Sequence, residues 1–266
     1  MTEVPTPLTK VPTLLPPGTP CWASLLVHRA DLAQEFYGAL FGWEFVPGPP
    51  ELGRYVLALL DGARVAGIGE GPPAPHRPVS WTTMLAAEDT DHTAELVREC
   101  GGTVGVGPLN VGAEGRLAMA VDPSGAVFGV WQAGLLSGAD VTGEPGSVAW
   151  NQLVTRDSAL VGPFYRAVFG YEVWPAGRGD ERDRLLLTVR GRPVADVHGV
   201  AGPPAGGLGA HWMTYFATSD PDAAARRAVE LGGALVVAPH DSPYGRVCTV
   251  TDPQGAEFAL ITPGTA

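Results

Sequence analysis

The chain has 266 residues, of which 45% are hydrophobic and 17% are charged, and its formal net charge is −11 at pH 7. This length is enough for two ordinary domains with apolar cores. Because nucleic acids and anionic membrane surfaces attract clustered Lys and Arg, the acidic balance argues against both as partners.

Cysteine usage and the N-terminal residues point to a cytoplasmic protein. The three cysteines include no close pair, which excludes a disulfide framework and a zinc knuckle. The first residues lack the basic and apolar regions of a signal peptide, and no apolar run is long enough to span a bilayer. We therefore expect a cytoplasmic location.

Residue periodicity predicts one local unit that recurs along the chain. Apolar residues at helical spacing, followed by glycine, predict the helices, and short apolar runs between turn residues predict the strands. Asp31 is expected to cap the first helix. The predicted helices are 31–41, 90–100, 160–169 and 221–231, and the predicted strands are 21–27, 43–46, 54–60, 64–68, 80–87, 103–106, 115–121, 126–132, 148–155, 171–174, 184–189, 194–200, 211–218, 234–238, 245–251 and 257–261. The order is strand, helix and three strands, repeated four times.

The two halves of the chain repeat the same motifs at a spacing of about 130 residues. FYGALFGWE, from Phe36, recurs as FYRAVFGYE, from Phe164, and the turn and strand DPSGAVF, from Asp122, recur as DPQGAEF, from Asp252. Trp22 recurs as Trp150 and Trp81 as Trp212. The sequence therefore predicts an N-terminal tail (1–17), a first domain (18–135), a linker (136–146) and a second domain (147–264).

These motifs, which recur in register, resemble the two-domain members of the vicinal oxygen chelate superfamily, which includes glyoxalase I, extradiol dioxygenases and bleomycin-resistance proteins. The closer likeness is to the actinobacterial two-domain glyoxalase-like proteins. The resemblance covers about residues 18–263. It implies an α+β fold with two tandem glyoxalase-like domains, each built from two βαβββ units that form a cup-shaped mixed sheet with its helices outside.

The resemblance also implies where a divalent metal would bind. In the family's enzymes the ligands come from the first and last strands of the units, and the last ligand is a Glu four residues after the glycine of the DPxG turn. That position falls on Gly129 and Ala259, which carry no donor. The first-strand position falls on Ser24 and on Gln152, and Gln is an accepted ligand there.

We therefore expect no metal centre in the first domain and, at most, weak metal candidates in the second domain. Those candidates are Gln152, His198 and His211, with Asp196 near them and Glu257 one pleat before Ala259. For the two histidines the favoured interpretation is that of ordinary residues at strand ends, bonded to backbone or water.

Because strand side chains alternate between faces, the sequence also predicts which residues line each cup. The first cup is defined by Trp22, Ser24, Thr82, Met84, Gly129 and Trp131, and the second cup by Trp150, Gln152, Asp196, His198, Met213, Tyr215 and Ala259. With Gly and Ala in place of the metal Glu, both cups are expected to be wide and aromatic.

Four of the tryptophans and two arginines admit more than one interpretation. Trp22 and Trp150 fit core packing and ligand stacking equally well, whereas Trp81 and Trp212 are expected to be core residues. A paired set of arginines, Arg116 and Arg246, would bind either an anionic group or the turn carboxylates Asp122 and Asp252, and their repetition in both halves favours a structural role.

The preferred functional hypothesis is a metal-free protein that holds an apolar or aromatic metabolite or antibiotic in its cups, for sequestration, resistance or an accessory step of secondary metabolism. One alternative is a glyoxalase-like or dioxygenase-like lyase, isomerase or accessory oxygenase that acts in one cup. Such an enzyme would be either metal-free or dependent on a divalent metal in the second domain. Another is a structural protein with filled cups. The catalytic residues stay unassigned, the expected partner is a small molecule, and a monomer or a homodimer is expected.

Overall fold

The computed structural model describes residues 14–71, 79–177, 183–202 and 209–263. Most of the predicted tail, residues 1–13, lies outside these ranges. Within them the chain forms two eight-stranded mixed sheets and four α-helices. None of the helices in these ranges is long and apolar enough to cross a membrane.

Each half of the chain forms one sheet. The first consists of β1 (Pro20–Val27), β2 (Glu44–Pro47), β3 (Tyr55–Leu60), β4 (Ala63–Glu70), β5 (Trp81–Ala86), β6 (Thr103–Val111), β7 (Gly115–Val121) and β8 (Val127–Ala133), with α1 (Ala30–Phe41), a short 3-10 helix (Pro50–Leu52) and α2 (Thr90–Glu99). The second consists of β9 (Val148–Thr155), β10 (Glu172–Pro175), β11 (Arg184–Val189), β12 (Arg192–Gly199), β13 (His211–Ala217), β14 (Ala234–Ser242), β15 (Gly245–Thr251) and β16 (Glu257–Pro263), with α3 (Ser158–Phe169) and α4 (Pro221–Glu230).

The strand order is the same in both sheets. It is β2-β3-β4-β1-β5-β8-β7-β6 in the first and β10-β11-β12-β9-β13-β16-β15-β14 in the second. The pairs that join a first strand to a last strand, β1 with β4 and β5 with β8, are parallel, as are β9 with β12 and β13 with β16. The predicted α+β class and the tandem repeat are therefore confirmed.

The prediction that Asp31 caps the first helix is wrong. The N-cap is Arg29, whose side chain makes no capping bond, and Asp31 forms an ion pair with it instead. The N–H groups at this helix end are satisfied from elsewhere, because Glu70 accepts from Ala30 at 3.2 Å and Gln254 accepts from Arg29 at 2.9 Å. A residue of the second half thus completes a helix of the first.

The helices lie on the faces opposite the cups, and each half contributes side chains to the other's core. Phe258 of β16 packs against Phe36 of α1, with ring centroids 6.4 Å apart. In the mirror arrangement, Phe128 of β8 packs against Tyr165 of α3 at 5.6 Å. The two hydrophobic cores on the helix side therefore each combine residues from both halves of the chain.

Each core contains a chain of buried hydrogen bonds that links the two halves of the sequence. Trp81 donates its indole N–H to the hydroxyl of Tyr37 at 3.0 Å, and that hydroxyl donates to Asp252 at 3.1 Å. The counterpart in the second half runs from the indole N–H of Trp212 to the hydroxyl of Tyr165 at 2.9 Å, and from that hydroxyl to Asp122 at 3.0 Å. Trp81 and Trp212 are each 3% exposed, which confirms that they are core residues.

We expect Tyr37→Phe to lower the free energy of unfolding by about 1–3 kcal/mol, because a buried indole and a buried carboxylate each lose a partner. Urea denaturation measures the change. The control is Tyr244→Phe, which removes a hydroxyl from a side chain that is 50% exposed and should cost less than about 0.5 kcal/mol. Equal losses in the two variants would contradict a stabilising role for the buried chain of hydrogen bonds.

Candidate ligand site

The first cup is filled by its own side chains. The hydroxyl of Tyr55 accepts from the indole N–H of Trp22 at 3.0 Å and lies 3.0 Å from the hydroxyl of Ser24. It rests directly on Gly67, where a Cβ atom would overlap it. Thr82 is opposite Ser24 on the neighbouring strand and is partly buried. The side chain of Tyr55 thus occupies the space above β4 and β1.

The other end of the first cup is closed by a thioether. Met84 lies over Gly129, its neighbour on β8, so that a Cβ atom on Gly129 would overlap the sulfur. Trp131 is 6% exposed and donates its indole N–H to the backbone oxygen of Leu136 at 2.7 Å. The expectation that glycine at position 129 widens this cup is wrong, since neighbouring side chains fill such space to the density of a protein interior.

The second cup contains a polar network that is missing from the first. Asp196 accepts three hydrogen bonds, from the indole of Trp150 at 2.6 Å, from the amide of Gln152 at 2.9 Å and from Arg184 Nε at 2.7 Å. The carbonyl of Gln152 in turn accepts from the hydroxyl of Tyr215 at 2.9 Å. Four of the predicted residues are therefore brought together in one network.

Arg184 is the member of this network that sequence reasoning missed. Its side chain forms a buried ion pair with Asp196, and its guanidinium lies 4.6 Å from the ring centroid of Tyr244. At the first position of a predicted strand, an arginine suggests an exposed strand end. Only the pairing of β11 with β12, in which Leu186 is opposite Asp196, brings Arg184 within reach of that carboxylate.

The predicted histidines lie at the ends of their strands, His198 beside the polar network and His211 at the first position of β13. Arg184 is opposite His198 in the pairing of β11 with β12. His211 approaches the backbone oxygen of Gly209 with Nδ1 at 2.9 Å, whereas its Nε2 is buried without a partner among the residues described. Burial lowers the pKa of the His211 imidazole.

The donor set of the second cup does not fit a divalent metal. The carbonyl of Gln152 accepts a hydrogen bond from Tyr215, and the carboxylate of Asp196 already forms an ion pair with Arg184. Ala259, which is 1% exposed, belongs to an apolar cluster with Met213 and supplies no donor. In the described ranges no group of three His, Cys, Asp or Glu side chains converges, and a metal site needs such convergence.

The two cups differ in how far they are open. Trp22 and Met84, in the first cup, are 8% and 5% exposed. Their counterparts in the second cup, Trp150 and Tyr215, are partly exposed and direct polar atoms into the network. Aromatic surface is therefore accessible in the second cup and covered in the first.

Two surface cavities lie outside this network. One, of about 370 Å³, is lined by Leu14 to Pro17, Trp131 and Arg190, and the other, of about 410 Å³, lies beside α3, β10 and β11. Trp131 is the only predicted cup residue among those lining either of the two.

Glu257 is a further ionisable group on the cup face of the second sheet. It is 7% exposed and makes no hydrogen bond or ion pair with any residue that the structure describes. Ala259 and Ile261 follow it on the same face. Burial raises the pKa of the Glu257 carboxyl from 4.5 to about 7.

The paired arginines have structural partners. Arg116 pairs with Asp91 in the first turn of α2, and Arg246 pairs with Asp222 in the first turn of α4. The turn carboxylates are not their partners, because Asp122 and Asp252 bond to their own turns and to the buried tyrosines. The predicted bond to the turn carboxylates is thus wrong, and the structural role of both arginines comes from pairing with a carboxylate in the first turn of a helix.

Two glycine substitutions in the first cup should separate a rigid neighbour from a flexible one. Gly67→Ala forces the hydroxyl of Tyr55, which has two hydrogen-bond partners, to move. We expect the free energy of unfolding to fall by about 2–3 kcal/mol. In Gly129→Ala the new methyl group would contact the flexible end of Met84, which can move aside. We expect the free energy of unfolding to fall by about 1 kcal/mol or less. Thermal and urea unfolding measure both. If Gly129→Ala were the costlier variant, this description of the packing would be wrong.

The pKa of Glu257 predicts a pH-dependent effect on stability. Because the folded protein holds this proton more tightly than the unfolded chain, the stability that the carboxyl contributes is present below about pH 4.5 and is lost as the pH rises to about 7. We therefore expect Glu257→Gln to be more stable than the parent by under about 1 kcal/mol at pH 5 and by about 3 kcal/mol at pH 8.

Urea unfolding across that pH range measures the difference. Glu95→Gln, at an exposed position of α2, is the control and should follow the parent at every pH. A difference between Glu257→Gln and the parent that is independent of pH would rule out a raised pKa.

Comparisons with known proteins place the chain in a family. A model of the glyoxalase-like domain matches residues 148–261. Anthracycline biosynthesis protein DauV of Streptomyces sp. (strain C5) is 36% identical over 94% of each chain, and "Putative glyoxylase CFP32" of Mycobacterium bovis is 37% identical over 92% of this chain and 95% of the relative.

Solved structures agree on the fold. The Mn(II)-bound glyoxalase from Novosphingobium aromaticivorans superposes with a TM-score of 0.64 at 18% identity, covering 93% of this chain and 83% of that one. The 2,3-dioxygenase LapB from Pseudomonas sp. KL28 has a TM-score of 0.61 at 16% identity, covering 95% and 93%. The chain belongs to the glyoxalase-like family of the vicinal oxygen chelate superfamily.

Proposed function

We propose that this protein binds a planar aromatic metabolite in the second cup without a metal ion, in sequestration, resistance or an accessory step of secondary metabolism. The observation that carries the proposal is the network around Asp196, in which a buried Arg184 supplies the positive charge and Trp150 and Tyr215 supply partly exposed rings. Concave sites with aromatic walls and a few converging polar groups are typical of small-molecule binding.

The contrast between the halves supports the second cup as the site. In the first cup Tyr55 and Met84 cover the floor, so a ligand would have to displace packed side chains. In the second cup the rings of Trp150 and Tyr215 are held by hydrogen bonds at their polar ends. Rings that are fixed in this way bind a flat partner without losing much side-chain freedom.

The relatives support an aromatic ligand. The name of DauV assigns that protein to anthracycline biosynthesis, and anthracyclines are built on fused, flat, hydroxylated rings. A molecule of this class offers a face for offset stacking and hydroxyl or carbonyl groups for hydrogen bonding. Both features match the aromatic and polar groups of the second cup.

The test compares one residue with its copy. Calorimetric titration with the hydroxylated anthraquinone alizarin should give a Kd that chelator treatment leaves unchanged. We expect Trp150→Phe to raise this Kd about tenfold, because it loses ring area and the hydrogen bond to Asp196. Trp22→Phe makes the same change in the first cup and loses the matching bond to Tyr55, and its Kd should stay within about twofold of the parent.

Three results would count against the proposal. A Kd above about 1 mM for alizarin and the parent protein would contradict the proposal of an aromatic ligand. An equal loss in the two variants would move the site out of the second cup. Loss of binding on chelation, with recovery on adding a divalent metal, would favour the metal-dependent alternative.

A further inference from the structure

The second cup holds a buried carboxyl group that has no partner in the described part of the chain. Glu257 is 93% buried, since 7% of it is exposed, yet it has neither a hydrogen bond nor an ion pair within the described ranges. Its neighbours on the same face are the apolar Ala259 and Ile261, which cluster with Met213 and Val247. A carboxylate in such surroundings is costly unless a partner arrives to pair with it.

The cations near the cup are already used. The Nε of Arg184 is bonded to Asp196, and its guanidinium lies over the ring of Tyr244. Both oxygens of Asp196 are occupied in the network. Burial lowers the pKa of His211, which keeps this imidazole neutral near pH 7. The positive charge that would match Glu257 therefore has to come from outside the described chain.

The fold itself does not require a carboxylate at this position. The corresponding first residue of β8, in the other half, is Val127, which follows the same DPxG turn. The sheet thus forms with an apolar side chain at the start of this strand. An unpaired carboxylate at the matching position of β16 opposes folding, and a bound ligand can offset that effect.

Glu257 also lies in a suitable place relative to the aromatic rings. The four strands lie side by side in the order β12, β9, β13 and β16. Asp196 of β12 is opposite Gln152 of β9, which is opposite Met213 of β13. On the far side of β13, Tyr215 is opposite Ala259 of β16. At the usual spacing of strands, the backbones of β12 and β16 are about 14 Å apart in this curved sheet. A fused-ring ligand on Trp150 and Tyr215 would extend between the polar network and Glu257.

We propose that Glu257 is the counter-ion for a positively charged group of the ligand, so that the second cup selects amine-bearing planar aromatics over neutral ones. This inference rests on the proposed aromatic site. A ligand ammonium or protonated ring nitrogen would pair with the carboxylate in apolar surroundings, where a charge-assisted hydrogen bond is strong. The formal net charge of −11 would also raise the local concentration of a cationic ligand.

The experiment uses two dyes of nearly the same shape. Proflavine is a planar acridine cation at neutral pH, and acridine is its neutral parent. Calorimetric titration of the full chain at about pH 7.5 and about 0.15 M salt should give a Kd for proflavine at least about tenfold lower than that for acridine. Glu257→Gln should abolish this preference by weakening proflavine alone.

Glu95→Gln is the matched control, since it removes one negative charge from an exposed position, and it should keep the preference within about twofold. Circular dichroism and urea unfolding of Glu257→Gln establish that the variant is folded. An equal drop in proflavine affinity in both variants would show general attraction to an acidic protein and would overturn the role of Glu257.

The remaining outcomes separate the two proposals. If both dyes bind with the same Kd and Trp150→Phe weakens both, the aromatic site stands and the counter-ion role fails. If acridine binds more tightly and Glu257→Gln weakens it, the carboxyl acts as a neutral hydrogen-bond donor, which also overturns the inference. If neither dye nor alizarin binds the parent, both proposals fail.

Discussion

The structure depends on the two hydrogen-bonded chains that run from tryptophan through tyrosine to aspartate. Each begins on a sheet of one half, passes through a helix of that half and ends on the DPxG turn of the other half. Trp81, Tyr37 and Asp252 are buried, so each polar group needs the partner that the other half supplies. The repeated motifs are therefore matched across the molecule, and the aromatic core on each side is built from both copies.

This arrangement holds the helix faces constant and leaves the cup faces free to differ. The first cup pairs Gly67 with Tyr55 and Gly129 with Met84, so that each missing side chain is compensated by a larger neighbour. At the positions that correspond to Gly67 and Tyr55, the second cup has Asp196 and Arg184, which form a hydrogen-bonded network with Gln152. After duplication, the cup of the first half is filled by its own side chains, whereas the cup of the second half has the partly exposed rings of Trp150 and Tyr215.

Electrostatics in the second cup is organised around a guanidinium. Arg184 satisfies Asp196 in the cup where the family resemblance implies a metal site, and Ala259 has no donor at the position implied for the last ligand. A guanidinium orients its partners through directional hydrogen bonds but leaves no open coordination position for a substrate oxygen. This difference is the basis for proposing recognition by shape, stacking and charge instead of metal-assisted chemistry, with the buried Glu257 as the proposed counter-ion of the ligand.

Much of the fold follows from local patterns, because helix and strand periodicity, glycine stops and Asp-Pro turns act over a few residues. These patterns correctly predict the order of all four units and the core position of Trp81. The same patterns also identify the duplication, since the motifs recur in register.

What the sequence by itself determined is therefore the repeat, the α+β class and the order of the strands and helices along the chain. Only the tertiary structure decided that Tyr55 fills the first cup, that Arg184 meets Asp196 and that Tyr37 bonds to a turn 215 residues away. Such contacts depend on which distant strands become neighbours and on how far a flexible side chain reaches. No local period carries that information.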